Sequence, residues 1–428
     1  MQYKNVAKNA SWIIITRIVQ SVLSMIITMM TARYLGPSNF GSINYAASIV
    51  AFFTPIMHLG LTSTIVQELV LAPKEEGKIL GSSLLACGIS SIFCVIGVFS
   101  FAMIANAGET ETIIVCFLYS LVLFAQVFDV LQYWFQAKLL SKYTSLLSLA
   151  SFFVVSIYKA FLLITNKSIY WFALSNVFDF LIIAIVSLVL YKRLGGSDFK
   201  FSKELIFKML NKSKYYIISD IMIAIFAQTD RIMLKLMIDE AATGYYSAAV
   251  TCAGMTTFVF AAIRDSFRPL IFESKKVSES SFKNNMIRLY SITIYLSVIQ
   301  SICITLFSKL IIYVLYGAEF MSAVGALKII AWYTIFSYLG AVRNIWILAE
   351  NKQRFIWRID LSGAIANVFL NGLLIPKFGI AGAATASLLT QFFTNVVVVA
   401  IIKDVRPNIS LMLKSLSPRW IIQMVKCR

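Results

Sequence analysis

Two kinds of charged residue stand in this chain where charge is costly. Arg17, Lys159, Arg231 and Arg343 interrupt long apolar stretches, and so do the carboxylates Asp129, Asp179, Asp220 and Asp230. An unpaired charge at the middle of a bilayer costs several kcal/mol, so such residues are first read as parts of an ion or substrate path. The cations suit an anion such as a phosphate, and a carboxylate held in apolar surroundings suits a proton or a small cation. The competing use is structural. Arg17 and Arg343 lie near enough to the ends of their stretches to snorkel to the surface. Asp179 and Lys159, on consecutive stretches, can pair with each other. Gln20, Gln126, Gln132, Gln228, Gln391 and Asn395 either line a wet path or hydrogen-bond across helices.

Bond-breaking chemistry is poorly provided for. The only histidine, His58, stands in an apolar stretch beside Pro55 and Gly60 and reads more readily as a packing residue than as a catalyst. Asp239 and Glu240 form a lone acidic pair better explained as a solvated turn. The six cysteines are scattered, and none makes the close Cys-x-x-Cys spacing of a metal or redox site. No catalytic constellation, metal or cofactor is expected, and the chain does not read as an enzyme.

The elements that position these residues are apolar helices. Hydrophobic residues make up 59% of the chain and charged residues 14%, outside the range of soluble globules. The reading is an all-α polytopic membrane protein with about twelve spans, at residues 12–32, 43–65, 79–105, 112–135, 144–165, 169–191, 215–237, 244–263, 289–307, 328–348, 360–375 and 380–402. With loops assigned alternately to the two sides, 28 Lys and Arg fall on the side of the termini and 6 on the other, counting there Lys235 and Lys328 at the outer ends of their spans. That asymmetry places both termini in the cytoplasm and makes a nucleic-acid partner unnecessary to explain the charge of +18. The first apolar run lacks a small-residue cleavage site and reads as a retained span. The basic connector 192–214 joins two halves, residues 1–200 and 201–428, and its segment 202–210 reads as a short amphipathic surface helix. The halves repeat one design at an offset of 203 residues: Gly41 matches Gly244, Ala46 matches Ala249, and Arg17 falls opposite Asp220.

Several stretches carry a family resemblance: Ala32-Arg33-Tyr34-Leu35-Gly36-Pro37-Ser38-Asn39-Phe40-Gly41, Trp134-Phe135-Gln136-Ala137, Asp230-Arg231-Ile232-Met233-Leu234 running on to Gly244-Tyr245-Tyr246-Ser247, Leu315-Tyr316-Gly317, and Pro376-Lys377-Phe378-Gly379-Ile380-Ala381-Gly382. In this order they resemble polysaccharide-transport proteins, the lipid-linked oligosaccharide flippases of the multidrug/oligosaccharidyl-lipid/polysaccharide exporter superfamily. The resemblance implies two six-helix lobes forming a V around an alternating-access cavity. It also implies export of undecaprenyl-diphosphate-linked sugar units, such as O-antigen repeats for lipopolysaccharide, across a bacterial inner membrane. A polymerase and a chain-length regulator are the partners it suggests. The flippases place a cavity arginine at a site matched here by Thr16-Arg17.

On this reading Arg17, Lys159, Arg231 and Arg343 contact the diphosphate headgroup, and Asp179 or Asp230 carries a coupling proton. A multidrug or cation antiporter of the same superfamily is the alternative, and it would favour acid-rich pockets. A membrane-embedded polymerase or acyltransferase is the weaker third reading, because the external loops are too short for a catalytic domain. The topology is directly testable. In a variant without native cysteines, a cysteine placed in 192–214 should react with an impermeant thiol reagent only once the cytoplasmic face is opened. Labelling in intact, outer-membrane-permeabilised cells would reverse the assignment.

Overall fold

The computed structural model describes residues 2–417; the side chains of residues 2–18, 22 and 215, Arg17 among them, lie outside that description. Every regular element among the described residues is helical. In the first half these are α1 (Gln2–Met57), α2 (Leu61–Leu71), α3 (Glu76–Ala105), α4 (Thr110–Ser120), α5 (Val122–Gln126), α6 (Asp129–Ala137), α7 (Ser141–Ile164) and α8 (Ile169–Arg193). Then follow α9 (Lys203–Met237), α10 (Glu240–Gly254), α11 (Thr257–Val277), α12 (Glu279–Tyr316), α13 (Ala323–Ala349) and α14 (Ile356–Phe392). A π-helical turn, Phe393–Val397, leads to α15 (Val398–Ile401) and α16 (Pro407–Lys414).

Eight of these segments are long and apolar enough to cross a membrane, and α10 with α11, bent by 42°, makes a ninth. Two of the eight, 53 and 49 residues long, would run roughly 80 and 74 Å as unbroken helix, against a hydrocarbon core of about 30 Å. Both are interrupted by a glycine: Gly36 (φ 72°, ψ 174°) in α1 and Gly379 (φ 56°, ψ −132°) in α14. Only glycine takes such angles without strain. Eight segments, two of them double, and the bent pair give eleven of the twelve crossings expected; the other, expected at 215–237, lies in α9, which is not among the helices apolar enough by this measure. The nine-residue connector expected at 33–41 contracts to the single break at Gly36, with Pro37 opening the next helix where its missing N–H costs nothing. Large apolar side chains such as Phe93, Ile164 and Leu306 lie 69%, 81% and 73% exposed, which in a helical chain of this kind is the surface lipid covers.

The chain divides into two compact units, Met1–Gln228 and Thr229–Arg428, so the division falls inside α9. In the first unit the connector is not a free surface element. The helix expected over 202–210 is the start of α9, and it buries Leu205, Ile206 and Met209. Buried Glu68 of α2 holds Lys212 and, at 3.8 Å, Lys208. The hydroxyls of Thr64 and Ser213 meet at 2.9 Å. Upstream, Glu76 accepts the Ser197 N–H at 3.1 Å and pairs with Lys138 at 2.9 Å. The Tyr191 hydroxyl donates to the Ser197 carbonyl at 2.6 Å, and the Tyr191 ring stacks on Phe199. The Lys200 N–H reaches the Gly77 carbonyl at 2.9 Å. Glycines at 77 and 81 permit this approach, because a Cβ there would lie 2.2 Å from the Asp198 carbonyl oxygen and 2.4 Å from that of Lys200.

In the second unit, α12, α13 and the arms of α14 enclose a core that includes Phe282, Tyr290, Trp346, Phe355 and Ile359. Helix α10 joins it through small buried residues, Gly244, Ser247, Ala248 and Ala249, which let backbones come close.

Gly81→Ala should force the connector off α3, costing about 1–3 kcal/mol as overpacking does. The check is thermal unfolding in detergent, with Gly88→Ala as control, since a Cβ at Gly88 meets nothing within 4 Å.

Candidate functional site

The densest polar cluster of the second unit is built on Asp230, in the last turns of α9. Its carboxylate is buried and accepts four hydrogen bonds. Asn367 and Asn371 donate to Oδ1 at 3.1 and 2.6 Å, Tyr246 donates to Oδ2 at 2.5 Å, and Ser387 also donates to Oδ2. No cation among the described residues forms an ion pair with it. Local sequence explains how the donors converge. Asn367 and Asn371 are one helical turn apart on the first arm of α14, and Ser387 lies on the second arm, beyond the Gly379 break. Gly382 lets the arms close, since a Cβ there would lie 2.2 Å from the Leu374 carbonyl oxygen. The Oδ1 atoms of Asn367 and Asn371 are buried without a donor, so the cluster holds two unused acceptors beside a carboxylate.

The column continues along the second arm at helical spacing, Ser387, Gln391, Asn395. Gln391 donates to the Tyr333 hydroxyl at 3.4 Å and accepts from the Asn395 amide at 2.6 Å. Asn395 sits in the π-helical turn and accepts from Arg343 Nη1 at 2.8 Å. Arg343, of α13, is only 4% exposed, and its Nη2 donates to Asn344 at 2.9 Å. Gly340 makes room for the Asn395 amide, as a Cβ there would stand 2.3 Å from Oδ1. Arg343 is therefore not at a span end reaching outward; its guanidinium is held by amides inside the unit. Arg231, next to Asp230, turns to α10 and donates from Nε to Ser247 at 3.1 Å, while its carbonyl accepts from Thr243 at 3.2 Å. Two of the proposed cations and one of the proposed carboxylates thus lie in one polar system of the second unit.

In the first unit, Asp179 takes its hydrogen bond from Ser151, at 2.5 Å, and not from Lys159. Lys159 of α7 is half-buried, feels Asp179 only from beyond ion-pair distance, and has no hydrogen-bond partner among the described residues. The adjacent Tyr158 hydroxyl is buried and also unpartnered. Arg17 lies in α1, with its side chain outside the described residues.

Sequence reasoning picked out Asp230, Gln391 and Asn395 but missed the four donors around the carboxylate. The asparagines at 367 and 371 carried the signal: two amides at i, i+4 in an apolar span face one way and need a common partner.

Residues 6–275 match the model of a family described as "Polysaccharide biosynthesis protein". A Haloferax volcanii protein named as a probable low-salt glycan biosynthesis flippase, Agl15, is 26% identical over 196 residues, covering 44% of this chain and 40% of that protein. An uncharacterized membrane protein of Methanocaldococcus jannaschii, MJ1068, is 23% identical over 241 residues, covering 52% and 47%. The matched stretches thus span less than half the length of these curated relatives. Among solved structures, the lipid II flippase MurJ in an inward closed conformation superposes with a TM-score of 0.74 at 14% identity, covering 96% of this chain and 92% of that one. An inward-facing multidrug resistance MATE family transporter gives 0.66 at 11%, covering 93% and 96%. At such identities the likeness is one of fold, and the fold is that of these two-lobe transporters.

Asp230→Asn replaces an acceptor by a donor facing other donors and should cost about 1–3 kcal/mol. Thermal unfolding in detergent measures it. The exposed Glu319→Gln should stay within about 0.5 kcal/mol of the parent.

Proposed function

Because the chain belongs to the polysaccharide biosynthesis protein family, we propose that it is a flippase. On this proposal it carries undecaprenyl-diphosphate-linked oligosaccharide, an O-antigen or similar repeat unit, from the cytoplasmic to the periplasmic leaflet of the inner membrane. The observation that carries the reading is Lys159, an intramembrane ammonium with no hydrogen-bond partner among the described residues, in a fold shared with a lipid II flippase. A diphosphate bearing sugars cannot enter hydrocarbon unaided, since desolvating its charge and hydroxyls far exceeds thermal energy. An unengaged ammonium can replace water around that headgroup while the lipid tail stays in the bilayer. Arg17 and Arg231 are proposed as further contacts. Arg343, already held by Asn344 and Asn395, serves the headgroup only by giving up those bonds, and it ranks last.

Movement of about two negative charges outward runs with an inside-negative potential, worth about 4–5 kcal/mol per 100 mV if both cross the whole field. The empty carrier must then return. Asp230 is the preferred coupling site, with Asp179 second. Its carboxylate is balanced by neutral donors alone, so a proton, or a small cation drawing in the two unused amide oxygens, changes its charge without breaking an ion pair. The lobes at 1–200 and 201–428 are proposed to alternate access around the headgroup path. Polymerase and chain-length regulator are proposed to receive the product.

Reconstituted vesicles loaded with lipid-linked oligosaccharide, and read by a lectin on the far side, test both parts. Lys159→Gln should slow flipping at least ~10-fold and Lys159→Arg should retain most of it, because charge is what the headgroup requires. Arg17→Lys should keep partial flipping and Arg17→Ala should lose it. Undiminished flipping by Lys159→Gln refutes the headgroup role. With the potential clamped, a pH or sodium gradient should drive flipping in the parent and not in Asp230→Asn. An equal response in Asp230→Asn and Asp179→Asn removes both carboxylates from coupling.

A further inference from the structure

The second span is broken at its only histidine. Helix α1 ends at Met57 and α2 begins at Leu61, and between them Leu59 (φ 53°) and Gly60 (φ 62°) are both left-handed. A leucine adopts that conformation only where its surroundings impose it. The surroundings here are built for the purpose. Beside backbone bonds from Leu59 to Ile56 and from Leu61 to His58, the carbonyls around the break take further hydrogen bonds from one face of α3: Ser90 donates to Ile56 at 3.0 Å, Cys94 to Phe53 at 3.8 Å, and Cys87 to His58 at 4.0 Å. On the other side Gly60 lies against α9, where a Cβ would meet the Ile217 nitrogen at 2.8 Å and the Ser213 carbonyl oxygen at 2.9 Å.

The fourth span is broken at the same place. Turns at 121 and 127–128 separate α4, α5 and α6, and Asp129 is the first residue of α6. Its Oδ2 stands 3.8 Å from His58 Nε2, with both side chains largely buried. That separation is too long for a hydrogen bond. Asp129 Oδ1 accepts from Gln132 at 2.7 Å, but Oδ2 has no donor among the described residues, and the imidazole makes no hydrogen bond among them either. A carboxylate oxygen and an imidazole, withdrawn from water and left facing each other, lack one proton for a charge-assisted hydrogen bond. The other titratable groups that face the pair are Cys87 of α3, Tyr133 of α6, whose hydroxyl donates to Thr62 at 3.4 Å, and Asp220 of α9. None of these is a cation, so the charge balance of the cluster favours taking up a proton.

We propose that His58 and Asp129 form a proton-binding clasp between the broken second and fourth spans. A proton from the aqueous phase makes the imidazole an imidazolium, whose Nε2–H closes on Asp129 Oδ2, drawing the start of α6 against the break at Leu59 and Gly60. Proton release undoes the clasp. The pair lies wholly in the first unit and is separate from Asp230 in the second, and it stands whether or not the substrate is a lipid-linked glycan.

The lone histidine makes the test direct. Full-length protein labelled with 15N-histidine and placed in lipid nanodiscs gives a single imidazole signal. Between pH 5 and 9 that signal should pass from the neutral to the charged form, and Asp129→Asn should lower the midpoint by one unit or more, a tenfold or greater loss of proton affinity. Amide exchange at residues 57–61 should slow at least threefold below the midpoint in the parent and be insensitive to pH in Asp129→Asn. A signal that never titrates, a midpoint unmoved by Asp129→Asn, or exchange at 57–61 indifferent to pH overturns the clasp. Asp220→Asn, which keeps the pair, should leave the exchange response intact; its loss there would assign the proton to Asp220 and overturn the pairing.

Discussion

In hydrocarbon a backbone carbonyl that loses its helical donor has no water to fall back on, so each break in a span must be supplied with polar side chains by its neighbours. That constraint gathers the polar residues of this protein into a few places. At the break of the second span, Cys87, Ser90 and Cys94 of α3 add donors to carbonyls, two of which, Ile56 and His58, are held by the short-range N–H groups of Leu59 and Leu61. Asn371 of α14 donates from Nδ2 both to the carbonyl one turn back and to Asp230, and Asn395 of the π-helical turn donates to the Gln391 carbonyl while its Oδ1 accepts from Arg343. Breaks therefore collect donors and acceptors, and donors and acceptors in turn make charge tolerable nearby. Asp129 sits beside such a break, and Asp230 is held by residues of both arms of the interrupted α14.

The two units use this arrangement differently. In the second, the carboxylate of Asp230 takes four neutral donors and Arg343 is held by the amides of Asn344 and Asn395, giving a polar column in which these charges are solvated by protein. In the first, Lys159 has no hydrogen bond among the described residues and the His58–Asp129 pair is incomplete. A saturated column keeps its geometry when the surroundings change, whereas an incomplete site changes when something arrives. For a carrier, the first behaviour suits a fixed frame or a tightly held ion, and the second suits a place where a substrate or proton comes and goes.

Much of the fold was legible because long apolar runs, loop charge and glycine punctuation each report directly on a bilayer. The breaks at Gly36 and Gly379 lie within the stretches Leu35-Gly36-Pro37 and Phe378-Gly379-Ile380, where the turns were expected. The connector was read less well. Its alternation of lysines with Leu205, Ile206 and Met209 fits a membrane surface, yet the partner is buried Glu68 on α2, about 140 positions away, and a sequence pattern cannot tell a lipid headgroup from a distant carboxylate. The same limit hid the site chemistry. Asp230 was recognisable as a costly charge, but its partners Asn367, Asn371 and Ser387 are 137 to 157 positions away and are brought in by the fold of α14. His58 read as a packing residue, and the carboxylate it faces at 3.8 Å, Asp129, is 71 positions away.

The docked connector bears on how the chain is made. Residues 194–217 reach α2 and α3 through Glu68, Glu76, Gly77 and Gly81, all of which precede them on the ribosome. Each of these partners has been synthesised before the segment emerges. The first unit can accordingly be completed at the translocon while the second is still being translated. Its last act is to clamp the nascent chain by two glycines and two glutamates, at the point where synthesis passes from one half to the other.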